Sequence, residues 1–202
     1  MTRTIGIYVF DDVEVLDFAG PYEVFTCATR VGRKLAPDAP PPFRVRTIGR
    51  TSALLRARAG LAIFPESDIG RRDDIDVLIV PGGAVDAELV KPDVVAWIAA
   101  TARDCELVAS VRTGAFLLAQ AGLLDGQQLA TQGKEKSGVD TAYPELRIQG
   151  KRRWTDNGAI VSSGGSSAGI DLSLHLVERL AGRELALATA RQMDYDWSRS
   201  CG

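Results

Sequence analysis

The feature that most constrains this chain is a buried-type strand passing into an apolar helix almost without a connector. Leu107–Val111 (LVASV) is apolar throughout, Gly114–Ala121 reads as a helix, and only Arg112 and Thr113 stand between them. A second run, Val77–Val80 (VLIV), ends in Pro81-Gly82-Gly83, and a third opens the chain at residues 4–10 (TIGIYVF). Continuous apolar runs of this length are how strands covered on both faces read, and they alternate here with helical segments. The predicted fold is therefore α/β, a three-layer sandwich around a mostly parallel central sheet.

The rest of the chain fits that frame. A helix is expected from about Phe18 to Arg33, opened by Gly20-Pro21 because proline suits a first helical turn. Leu35–Pro42 holds four prolines and reads as a surface loop. Phe43–Gly49 alternates like a half-buried strand, and Ala53–Phe64 reads as a hairpin around Gly60. A helix is expected over Val90–Ala102 with Pro92 in its first turn, and Leu123-Leu124-Asp125-Gly126 as a helix stop. Short strands are expected at Arg153–Thr155 and Ala159–Ser162, a small-residue loop at Gly164–Gly169, and helices at Ile170–Leu180 and Glu184–Met193. No repeat or linker divides the 202 residues, so one domain over 1–202 is expected.

Composition narrows the function. The chain is 46% hydrophobic and 25% charged, with a net charge of -2 and no basic run. That argues against nucleic acid as a partner. No stretch approaches the ~20 apolar residues of a membrane span, and the N-terminus lacks a secretory signal. Cys27, Cys105 and Cys201 are scattered without metal-ligand spacing, as reduced thiols in a cytoplasm would be. Neither a metal nor a cofactor is expected.

Ligands of parallel α/β sheets bind outside the carboxyl ends of the strands. Three segments occupy those ends, Asp11–Asp17, Pro81–Asp86 and Arg112–Gly114, and they are expected to converge. The Val111-Arg112-Thr113-Gly114 turn has the spacing of a nucleophile elbow, whose free amides suit an anion. It reads equally as a tight connection with Arg112 in solvent. Asp17 is either an acid/base group or the N-cap of the first helix, and both roles are compatible. Burial would raise its pKa, whereas a nearby Arg112 would lower it. Gly82 and Gly83 are a strand-end turn or amide donors to an oxyanion. His175, the sole histidine, lies in the helical run DLSLHLVERL and reads as structural. Trp154 and Trp197 read as packing or dimer-edge residues.

VASV-x-TGAFLLAQAGLLDG, taken with VPGG at Val80–Gly83, LDFAGPYEVF at Leu16–Phe25 and SAGIDLSLHLVERLAG at Ser167–Gly182, resembles the ThiJ/PfpI superfamily. Within it the sequence is most similar to isonitrile hydratases and to the amidotransferase-like domains of certain regulators. The resemblance runs from about residue 4 to residue 196. It implies a flavodoxin-like sandwich, usually a homodimer, with a cysteine on the elbow. In isonitrile hydratases that cysteine attacks the terminal isonitrile carbon and water then yields an N-substituted formamide. An aspartate of the LDxxGP motif and the threonine after the cysteine assist.

Carried onto this chain, the aspartate is Asp17, the threonine is Thr113, and the cysteine position is Arg112. Relatives commonly read ATTHW downstream, where this chain has Ala130-Thr131-Gln132-Gly133-Lys134, so that histidine is absent too. A guanidinium is no nucleophile, and thiolate chemistry at this position is excluded. The site residues expected are Asp17, Arg112 and Thr113 for chemistry, and Gly82, Gly83, Gly114 and Ser166 for a small-molecule ligand. Three functions remain open. One is an isonitrile-hydratase-like protein altered in that reaction. Another is an enzyme using Asp17 and Arg112 for different acid/base chemistry. The third is a non-catalytic dimer that binds a small anion.

Overall fold

A computed structural model describes residues 1–71, 73–124, 128–130, 147–148 and 152–199. Seven strands form one sheet: β1 (Arg3–Tyr8), β2 (Phe43–Gly49), β5 (Ser67–Asp68), β6 (Val77–Val80), β7 (Leu107–Val111), β10 (Trp154–Asp156) and β11 (Ile160–Ser163). Their order is β10-β11-β7-β6-β1-β2-β5. Every neighbouring pair is parallel except β10 with β11 at one edge. This is the flavodoxin-like architecture expected from the sequence. Two small two-stranded pairs accompany it: β3 (Leu55–Arg56) with β4 (Ala62–Ile63), and β8 (Gln128–Leu129) with β9 (Arg147–Ile148).

The apolar runs take the central places because only there are both faces covered. All four residues of β6 and all five of β7 are buried. Each such aliphatic side chain contributes roughly 1.5–3 kcal/mol when removed from water. Helices cover both sides. On one, α1 (Val15–Leu35), α5 (Ser166–Ala181) and α6 (Arg183–Gln192) pack together; on the other, α2 (Asp86–Leu89), α3 (Pro92–Asp104) and α4 (Gly114–Gln120) do. Among the described residues no helix is long and apolar enough to cross a membrane.

Two expectations are corrected. The first helix begins at Val15, not Phe18, so Pro21 lies inside it and Asp17 sits in its first turn. Proline is tolerated there because the bond it forfeits is a single one, to the Asp17 carbonyl, near the helix start. The expected loop Gly164–Gly169 is mostly helix, since α5 already starts at Ser166. Its small residues let the helix lie close on β7: a Cβ at Gly169 would come within 3.2 Å of Val111. Asp125, Gly126, the segment Thr131–Lys134 and Cys201 lie outside the described residues.

Candidate functional site at the strand-to-helix elbow

β7 ends at Val111 and α4 begins at Gly114, so the chain must reverse direction within two residues. Arg112 absorbs the turn at φ 49°, in the left-handed region that a residue with a Cβ rarely occupies. Such strain costs on the order of 1–3 kcal/mol and clusters at functional sites. Gly114 makes the turn sterically possible: a Cβ there would lie 2.1 Å from the Val80 carbonyl oxygen. Its missing side chain permits the close approach of helix and strand.

The three strand-end segments converge as expected. Thr113 Oγ1 accepts a hydrogen bond from the Gly83 amide at 2.9 Å and donates to the Gly83 carbonyl at 3.0 Å. Gly83 also bridges to Val13, and the Glu14 amide donates to the Gly82 carbonyl at 2.9 Å. The expected oxyanion donors are therefore largely engaged within the protein. Gly83 N–H serves Thr113, the Gly82 backbone bonds to the Asp17 carboxylate, and the Arg112 amide donates to the Ser163 carbonyl at 2.9 Å. Thr113 acts as a clasp between the elbow and the Pro81–Gly83 turn.

Arg112 does not project free into solvent; its side chain is 25% exposed. Nη1 lies 3.5 Å from Asp17 Oδ2, 3.8 Å from Glu14 Oε2 and 3.5 Å from Ser166 Oγ. These separations exceed the 2.7–2.9 Å of a tight charge-assisted bond, so the contacts are chiefly Coulombic. Asp17 is fully buried, and its Oδ1 has no hydrogen-bond partner among the described residues. The opposing influences expected at Asp17 both operate, and burial dominates. Loss of water raises its pKa to about 6, against the lowering effects of the Ser166 hydroxyl, the Arg112 charge and the Gly82 backbone. Glu14, a like charge, adds to the rise. The N-cap reading of Asp17 is corrected: Glu14 holds that position, and no side chain caps the helix.

Glu14 was missed in the sequence. Its signal was there, an acid three residues before Asp17 on the segment expected to reach the site. No thiol compensates for Arg112 among the described residues. Cys27 is buried in α1 with its pKa raised by burial, and Cys105, at the far end of β7, is pushed up to about 12. His175 pairs with Asp156 at 2.6 Å and stacks on Trp154 at 4.2 Å, so it braces the β10 edge. Trp154 is buried, and Trp197 Nε1 donates to the Asp171 carbonyl at 3.2 Å. A cleft of about 700 Å³ opens at the amino ends of the strands, lined by Asp73, Asp76, Trp97 and Asp104. It contains no elbow residue, and its Asp73 and Asp76 already serve Arg46 and the Thr4 amide.

The DJ-1/PfpI family model matches residues 3–179. The chain belongs to the DJ-1/PfpI family. It is 29% identical over 199 residues to the HTH-type transcriptional regulator GbdR of Pseudomonas aeruginosa, covering 98% of this chain and 52% of that protein. It is also 29% identical over 201 residues to the isonitrile hydratase of Pseudomonas putida, covering 96% of this chain and 79% of that enzyme. The chain thus spans about half the length of the regulator it matches. Among solved structures, a THiJ/PfpI family protein from Pseudomonas syringae superimposes with a TM-score of 0.83 at 23% identity, over 97% of this chain and 76% of that one. At the elbow of this chain the strained residue, Arg112, is itself a fixed cation, set 3.5 Å from the buried Asp17.

Proposed function

We propose that this DJ-1/PfpI chain has lost isonitrile hydration and uses the elbow to bind a small organic anion. One observation carries the reading: the elbow residue is Arg112, its guanidinium set among Asp17, Glu14 and Ser166. An arginine keeps its charge at any working pH and presents a fixed fork of donors suited to carboxylate-like groups. The regulator relative supports recognition over turnover, and the isonitrile hydratase supports descent from a thiol enzyme. The relative named as an HTH-type transcriptional regulator keeps nucleic acid among the partners to test, against a net charge of -2 in this chain.

The test is formamide production from p-nitrophenyl isonitrile, paired with calorimetric titration of acetate. No formamide above background is expected from this protein, and acetate binding should disappear in Arg112→Met. Turnover by the unaltered chain, or binding indifferent to Arg112→Met, would sink the reading. A second reading has one observation in its favour. Asp17, with its pKa near 6, is poised to move a proton while Arg112 orients a carbonyl substrate. It would show as turnover of an added carbonyl compound that Asp17→Asn abolishes.

A further inference from the structure

We propose that the elbow takes up a small organic anion together with one proton, which is held on Asp17; this rests on the anion-binding reading above. One guanidinium already faces two carboxylates, at 3.5 Å and 3.8 Å. One of these, Asp17, is fully buried and has one oxygen without a hydrogen-bond partner among the described residues. A further anion on the same cation would gather at least three negative charges around one positive charge in a water-poor site. Like charges so arranged do not all remain ionised, and the group with fewer compensating contacts takes the proton. Glu14 is one-third exposed and keeps water. Asp17 has none, so Asp17 becomes neutral.

Among the described residues, four groups face Asp17. Arg112 comes from the elbow, Glu14 from the start of α1, the Ser166 hydroxyl from α5 and the Gly82 backbone from the turn after β6. Of these only Arg112 and Glu14 carry charge. The unliganded carboxyl titrates at about 6, so in the free protein it is mostly ionised at neutral pH. Below that value it is already protonated and the anion binds without proton uptake. Above it each binding event must recruit a proton, and affinity falls about tenfold per pH unit until the pKa of the bound form is passed. Protonation of Asp17 therefore lowers the charge repulsion that the ligand meets beside Arg112.

Methanesulfonate is the decisive probe because it stays ionised throughout, and acetate is its carboxylate counterpart. Both are titrated calorimetrically into the whole chain at pH 5.5, 6.5 and 7.5, in buffers of differing ionisation enthalpy. Proton uptake should approach one per ligand at pH 7.5 and fall toward zero at pH 5.5. Asp17→Asn, a neutral mimic, should bind at pH 7.5 as tightly as the parent does at pH 5.5, with no uptake. His175→Gln should leave the profile unchanged, because that ring sits with Asp156 at the sheet edge. Binding that needs Arg112 but shows neither uptake nor pH dependence would overturn the proton coupling and leave the anion-binding reading standing. A pH profile that survives in Asp17→Asn would overturn it likewise. No binding at any pH, or binding intact in Arg112→Met, would overturn both.

Discussion

At Asp17 two physical effects oppose each other, and the outcome sets a cost in stability. Its folded-state pKa of about 6 lies above the ordinary aspartate value of 3.8. The folded protein therefore binds the Asp17 proton more tightly than the unfolded chain does. Below pH 4 both states are protonated and no penalty arises; as pH rises from 4 through 6, stability falls, and the full penalty is present above 6. At 1.36 kcal/mol per pKa unit it amounts to about 2–3 kcal/mol. Asp17→Asn should therefore be more stable than the parent by about 2 kcal/mol at pH 7.5, with the gap closing below pH 4. Urea unfolding at the two pH values checks this, and a destabilised variant at pH 7.5 would contradict it. Arg112 was legible as a charge at an elbow. Asp17 and Ser166 were legible beside it; Glu14 was not, because its place depends on α1 starting at Val15.

Between elements, the clasp at Thr113 holds the elbow to the Pro81–Gly83 turn through two hydrogen bonds to one residue. Thr113→Val keeps the shape and removes both, leaving a part-buried amide and carbonyl of Gly83 without partners. A loss of about 1–3 kcal/mol in chemical unfolding is expected, with anion affinity lowered as the turn loosens. Thr113→Ser should recover most of both. If Thr113→Val unfolds like the parent, the clasp is not holding the turn. Element boundaries were read well where the strand pattern, apolar throughout or alternating, is unbroken: β2, β6 and β7 match the sequence expectation residue for residue. They were read less well where tertiary packing overrides local preference. Pro21 looked like a helix opener, yet α1 starts six residues earlier, at Val15. Gly164–Gly169 looked like a loop, yet its small side chains let α5 begin at Ser166 and pack on β7.

For the molecule as a whole, the family resemblance implies a homodimer, and we carry that forward as a proposal. Light scattering at micromolar concentration should give about twice the 21.7 kDa chain mass, and a value near 21.7 kDa would refute it. The layered fold was open to sequence reasoning because burial on both faces of a strand leaves a local mark. An uninterrupted apolar run such as Val77–Val80 admits few other places in a structure. The sequence by itself also determined that position 112 carries no thiol, since side-chain identity does not depend on folding. What only the tertiary structure decided is the electrostatic state of the site. Whether Asp17 is pulled down by Arg112 or pushed up by burial depends on distances and water access. Those are set by how α1 and α5 close over the end of β7, and no one-dimensional pattern records them.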